Sequence, residues 1–318
     1  MTNGRDATDR TRWRGVFTAL ATPFTEDGRE LDLERLPMLL RRQAAAGVTG
    51  VVPAGTTGES PTLSTREHRA LVERCVAIAR PLGLAVVAGA GANDTRHAIE
   101  LHRTAEACGA DASLQVVPYY NKPSQAGLLR HFLSISDAAP LPIVLYSIPG
   151  RCGTGLEPAT VATLARHPHI VALKEASGRV EAVTEIRSRC DLAVLSGDDP
   201  LTLPMMAVGA SGVVSVASNV VPSGVAGMVR AALEGDFAGA RVDHDRLHDL
   251  ARTLLTLDSN PVPVKAALAH LGLDSGTVRP PLAPLDEKAC EPLRRMVDRL
   301  VAAETAAEST PQVETVTR

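Results

Sequence analysis

A lysine stands at position 174, at the end of the apolar run Ile170-Val171-Ala172-Leu173, where it adds little to packing and much to potential chemistry. Only four lysines (122, 174, 265 and 288) occur among 33 basic residues, so the chain otherwise uses arginine wherever a surface cation will do. Arginine would not serve at this position. Guanidinium stays protonated, whereas a desolvated lysine can release its proton and attack a carbonyl carbon as the free amine. The three tyrosines of the chain fall in two short segments, Pro118-Tyr119-Tyr120-Asn121 and Tyr146-Ser147-Ile148-Pro149-Gly150-Arg151. Tyrosines used as filler would scatter, so this concentration points to work by phenolic hydroxyls. Gly55-Thr56-Thr57-Gly58 lacks the spacing and the lysine of a phosphate loop. Its glycines, exposed N–H groups and two hydroxyls suit a smaller anion, a carboxylate held without a fixed charge. Arg151, just past a glycine, is placed to make a bidentate pair with a second carboxylate.

Other polar clusters carry less. His244 and His248 are spaced i,i+4 on a charged helical stretch, but no third metal ligand is placed. His167 and His169 flank Pro168 and read as surface residues. Asp198-Asp199 suits either Mg²⁺ or the cap of a following helix. Five cysteines (75, 108, 152, 190 and 290) are far apart and have no C-x-x-C spacing, which predicts reduced thiols rather than disulfides or a zinc site.

These residues need a frame, and the hydropathy pattern supplies one. Short β-rich apolar runs alternate with helix-period segments eight times: Val16–Phe24, Gly50–Gly55, Ala85–Gly91, Ser113–Tyr119, Ile143–Ile148, Ile170–Ala176, Ala193–Gly197 and Gly212–Ala217, with amphipathic stretches such as Thr65–Leu82, Thr95–Cys108 and Gln125–Ala138 between them. Parallel βαβ units follow, and eight of them predict an α/β fold of the closed (β/α)8 TIM barrel type over residues 14–235. An open doubly wound sheet is disfavoured, because Gly89-Ala90-Gly91-Ala92-Asn93-Asp94 lacks the third glycine of a dinucleotide loop. Residues 236–303 read as a C-terminal helical appendage, through Phe237–Leu257, Pro263–Leu271 and Glu287–Ala303. Residues 1–13 and 304–318 read as mobile tails. In a barrel the catalytic groups collect where strands run out into the following loops, and Thr56, Thr57, Tyr120, Tyr146, Arg151 and Lys174 all fall there. A net charge of −3 over 318 residues gives no reason to expect nucleic acid or membrane as a partner. The polar N-terminus has no apolar stretch, so the expected location is cytoplasmic.

Six ordered segments, G-T-T-G-E-S at 55–60, P-Y-Y-N-K-P at 118–123, Y-S-I-P-G-R at 146–151, K-E-A-S-G at 174–178, S-G-D-D at 196–199 and N-P-V-P-V-K at 260–265, resemble the dihydrodipicolinate synthase/N-acetylneuraminate lyase family of class I aldolases. The resemblance spans about residues 14 to 300. The arginine of the third segment and the whole of the sixth lie nearer the synthase branch than the lyase branch. What the resemblance implies is a lyase of lysine and diaminopimelate biosynthesis that condenses pyruvate, held as a Schiff base on Lys174, with L-aspartate 4-semialdehyde. Tyr146 would be the general acid/base, with Thr57 and Tyr120 completing a hydroxyl relay and Tyr120 serving a neighbouring subunit. Thr56 and Thr57 would bind the pyruvate carboxylate and Arg151 that of the aldehyde, while the carbonyl of Val214 would face Lys174. No metal or organic cofactor is implied, and a homotetramer built as a dimer of dimers is. Ser147 departs from the asparagine common in the family, which leaves open a related pyruvate-dependent aldolase or dehydratase acting on a sugar acid or hydroxy-oxo acid. In lysine-regulated members an effector site matches Ser60, Pro61, Thr65, His68, Asn93, His97 and Tyr119, with His97 in place of a glutamate.

Overall fold

The computed structural model describes residues 9–308. Its elements follow in the order β1 (Gly15–Ala19), α1 (Leu36–Ala45), β2 (Gly50–Val52), α2 (Thr65–Ala79), β3 (Ala85–Gly89), α3 (Thr95–Ala107), β4 (Ala112–Val116), α4 (Gln125–Ser136), β5 (Ile143–Ser147), α5 (Pro149–Cys152), α6 (Pro158–Leu164), β6 (Ile170–Glu175), α7 (Glu181–Arg187), β7 (Ala193–Ser196), α8 (Thr202–Ala207), β8 (Gly212–Ser215) and α9 (Pro222–Leu233). Every strand pairs in parallel with its sequence neighbours, and β8 closes onto β1 through Gly15↔Gly212 to Thr18↔Ser215. This is the predicted (β/α)8 barrel. The helices start where the sequence supplies caps. Ser64 and Glu67 form a reciprocal capping box at α2, and Asp94 and Ser124 accept from the first turns of α3 and α4.

The strands are shorter than hydropathy predicts, always at their C-terminal ends. Ala54, Ala90, Val117 and Val216 lie past the ends of their strands yet are at most 5% exposed. Burial continues after the chain has left the sheet, so an apolar run marks the core and not the end of pairing. These buried overhangs build the site.

Three further helices, α10 (Phe237–Thr256), α11 (Val262–His270) and α12 (Glu287–Glu308), complete the chain. Leu247, Leu250 and Leu254 of α10 and Leu293, Val297 and Leu300 of α12 belong to the same continuous apolar core as the barrel, so the appendage has no separate core of its own. Part of each expected tail forms regular structure among the described residues. Arg10–Arg12 form a 3-10 turn, and Trp13 is buried and stacked on Phe17 with ring centroids 5.9 Å apart. At the other end α12 continues to Glu308, and the buried Glu304 accepts from the backbone N–H of Gly224. The rest of both predicted tails, 1–8 and 309–318, lies outside the described residues. Among the described residues no helix is long and apolar enough to cross a membrane, and all five cysteines are free thiols.

Candidate active site

Tyr146 and Lys174 are Cα partners in the β5–β6 ladder, and strand alternation sends both side chains to one face. Nζ of Lys174 lies 4.2 Å from the centroid of the Tyr146 ring. The residues are 6% and 4% exposed, so water hardly reaches either head group. Burial pushes the Lys174 amine down to about 8, with Arg151 adding to the fall and Asp199 opposing it. Burial also lifts the Tyr146 phenol to about 12, against the pull of Arg151 and of a hydrogen bond with Thr56. Both shifts move the groups toward their uncharged forms, which suits an amine nucleophile beside a neutral proton donor. The lysine stem has its path because position 197 is glycine. A Cβ there would lie 2.8 Å from Lys174 Cε and 2.7 Å from the Ala176 Cβ.

The turn after β2 brings Thr56 and Thr57 to the site. Glu59 N–H donates to the Thr56 carbonyl at 3.1 Å and Ser60 N–H to that of Gly55 at 3.2 Å, closing a tight reversal. Gly58 is required there, since a Cβ would meet the Ala54 backbone nitrogen at 2.9 Å. The two threonines, both expected at the pyruvate carboxylate with Thr57 also in the relay, take different partners. Thr56 is the hydroxyl that hydrogen-bonds the Tyr146 phenol. Thr57, buried at 3% exposure, accepts from Asn260 Nδ2 at 3.0 Å instead. Thr56, and not Thr57, is thus the threonine hydroxyl beside the phenol, because the turn points adjacent side chains in different directions.

Arg151, exposed in the short helix α5, donates from Nη2 to the Asn260 carbonyl at 3.3 Å, which holds the guanidinium beside the strand ends. Val214 sits buried in β8, paired with Phe17 of β1. Tyr120 does not join the site of its own chain. It is 89% exposed on the loop after β4, in a left-handed conformation with φ of 73°. Ser147 is one residue from Tyr146 and so faces the opposite side of the strand, where its Oγ accepts from Leu156 N–H at 3.1 Å. Asp199 does not cap the segment that follows it. Its carboxylate accepts from Ser215 Oγ and from the N–H groups of Val216 and Ala217, tying the β7 loop to the end of β8. His244 and His248 have no further ligand, and among the described residues no cluster of three or more His, Cys, Asp or Glu could hold a metal ion. Sequence reasoning missed Asn260 and Gly197 as parts of the site and considered Asp199 only as a metal ligand or cap. All three lie in the recognised segments, where the sequence alone assigns them no partner.

The fold and this constellation define a (β/α)8 barrel with a buried lysine amine beside a buried phenol. Residues 12–300 match the profile of the Dihydrodipicolinate synthetase family. The 4-hydroxy-tetrahydrodipicolinate synthase of Sorangium cellulosum is 48% identical over 296 residues, covering 92% of this chain and 98% of that protein. Among solved structures, the 4-hydroxy-tetrahydrodipicolinate synthase of Methylacidiphilum fumariolicum SolV is 44% identical and superposes with a TM-score of 0.88 over 93% of this chain and 98% of its own. The dihydrodipicolinate synthase of Cyanidioschyzon merolae, solved with lysine bound, is 41% identical with a TM-score of 0.87, covering 91% and 99%. The chain belongs to the dihydrodipicolinate synthase family.

Proposed function

We propose that this chain condenses pyruvate with L-aspartate 4-semialdehyde to give 4-hydroxy-tetrahydrodipicolinate. The observation that carries the reading is the buried Lys174 amine 4.2 Å from the Tyr146 ring, with Arg151 anchored to Asn260 beside it. The amine attacks the pyruvate C2 carbonyl and water leaves, forming an iminium on Lys174. The iminium is an electron sink, so the methyl group releases a proton and becomes an enamine carbon. That carbon bonds to the aldehyde carbon of the semialdehyde, whose oxygen takes up a proton. The substrate amine then attacks C2, expelling Lys174 and closing the ring. Tyr146 and Thr56 carry the protons, and Tyr120 of a neighbouring subunit extends the relay to solvent in a homotetramer. Thr57 and the backbone N–H groups of its turn hold the pyruvate carboxylate. The reading places the enzyme in the cytoplasm, where its free thiols stay reduced.

The deciding experiment incubates the protein with pyruvate and a panel of aldehydes and identifies the product. Turnover confined to aspartate 4-semialdehyde supports the reading; turnover of sugar or hydroxy-oxo aldehydes in its place overturns it. Ser147, the departure that favours those aldehydes, faces away from Lys174, so it provides no support for them.

Arg151→Ala raises the KM for the semialdehyde and lowers kcat/KM roughly ten- to hundred-fold, the loss expected for a charged bidentate contact, while pyruvate still forms its imine. Unchanged turnover of the semialdehyde by this variant would remove Arg151 from aldehyde binding. L-Lysine is expected to inhibit weakly. The effector-site position of a glutamate in regulated relatives is His97, which lies 3.5 Å from Glu100, and loss of one charge-assisted bond weakens binding by roughly ten- to hundred-fold. Initial rates against increasing lysine test this, and strong inhibition well below about millimolar would show that the other positions compensate.

A further inference from the structure

A second buried lysine lies beneath the carboxylate-binding turn, and the reaction assigns it no step. Lys265, in α11, and Glu59, in the turn after β2, form an ion pair at 2.9 Å with side chains 0% and 1% exposed. Both partners are fully engaged around it. Glu59 Oε2 accepts the backbone N–H of Arg279 at 2.9 Å, and the Lys265 amine also donates to the Thr22 carbonyl at 2.9 Å. The Phe24 ring covers the pair, with its centroid 4.2 Å from Lys265 Nζ. Buried ion pairs are a poor source of net stability, because desolvation offsets their attraction, whereas the geometry they impose is sharp. Here the geometry is imposed on the substrate loop. Glu59 holds a left-handed backbone with φ of 53°, uncommon for a residue with a side chain, and its N–H closes the turn onto Thr56. Thr22, whose carbonyl Lys265 grips, donates its own hydroxyl to the Gly58 carbonyl at 2.7 Å. The same C-terminal segment reaches Thr57 through Asn260 Nδ2. One cation thus restrains the turn from both flanks, through Glu59 and through Thr22.

We propose that Lys265 and Glu59 are positioning residues for pyruvate binding, a clamp through which the C-terminal helical unit sets the Thr56–Thr57 turn against Lys174. The inference rests on the pyruvate reading of the site. A carboxylate held by neutral hydroxyls and N–H groups depends on their placement, and a shift of the turn by about 1 Å weakens such recognition by roughly ten- to hundred-fold. The double substitution Glu59→Gln with Lys265→Met removes both charges, so no uncompensated ion stays buried. It should keep the parental fold by circular dichroism and raise the KM for pyruvate about ten-fold or more. The KM for the semialdehyde should stay within about three-fold, because Arg151 is held separately through the Asn260 carbonyl. Borohydride trapping at saturating pyruvate should still label Lys174. A folded double variant with the parental pyruvate KM overturns the proposal, as does an equal rise in both KM values, which would mark a general structural role. Should the double variant not fold, Thr22→Val decides: it deletes the bond to Gly58 while preserving volume, and an unchanged pyruvate KM in that variant also overturns the clamp. Trapping of pyruvate by the parent protein is the control, since its failure would strike the functional reading and not the clamp.

Discussion

Borohydride added with pyruvate should fix one reduced pyruvyl group on the protein, and peptide mapping should place it on Lys174. Lys174→Ala is expected to lose the label entirely and to lower kcat/KM by at least about 10³-fold. Lys174→Arg should fare no better, because a guanidinium cannot be deprotonated near neutral pH. The other buried lysine is no substitute: the Lys265 amine is bonded to Glu59 and to the Thr22 carbonyl. The shift of the Lys174 amine to about 8 sets the pH dependence. An ordinary lysine near 10.4 would present the free amine in about one molecule in 2,500 at pH 7. Here the fraction is about one in ten. The sign is that of a base with a depressed folded-state value: free amine, and with it the rate of trapping, increases about ten-fold per pH unit up to about 8 and levels off above it. Label on Lys122, Lys265 or Lys288, or a trapping rate still climbing steeply at about pH 9.5, would overturn the assignment.

Tyr146→Phe lowers kcat by about 10² to 10⁴, the usual contribution of a positioned proton-transfer group. The substitution keeps the ring on which Lys174 rests and removes only the hydroxyl. Thermal stability should change little and borohydride labelling of Lys174 should persist, more slowly, while exchange of the pyruvate methyl protons with solvent nearly stops. Burial that lifts the phenol to about 12 leaves it protonated across the working range. Its expected role is to pass a proton along its bond with Thr56, and no phenol titration should appear in the rate profile below about pH 10. A Tyr146→Phe enzyme within about three-fold of parental kcat would assign proton transfer to another group. Thr56→Val, which removes the hydroxyl bonded to the phenol, is the companion measurement for the proposed relay.

The barrel was legible from the chain because its signal is local and repeated. Eight alternations of strand and helix pattern, with capping residues at Ser64, Asp94 and Ser124, state the same topology many times over. Lys174 was legible because a lysine among Ile170, Val171, Ala172 and Leu173 has no packing role. Strand ends were not, since Ala54 and Val117 are as buried outside the ladder as inside it. The orientation of single side chains was not legible either. Thr56 and Thr57 are adjacent, identical and interchangeable on paper, and only the reversal closed by Glu59 sends one to Tyr146 and the other to Asn260.

Residue types and their spacing thus sufficed for the fold and to single out the lysine, the phenol and the arginine as candidates, because each is a property of a short window read against general chemistry. Everything that tunes those groups comes from far along the chain. Asn260 lies 203 residues from Thr57 and 109 from Arg151, and Lys265 lies 206 from Glu59. Desolvation of Lys174 likewise depends on all the elements packed around it. Such pairings follow from barrel closure and from docking of α10–α12 onto the barrel's core, so the distances they set exist only after the chain has folded.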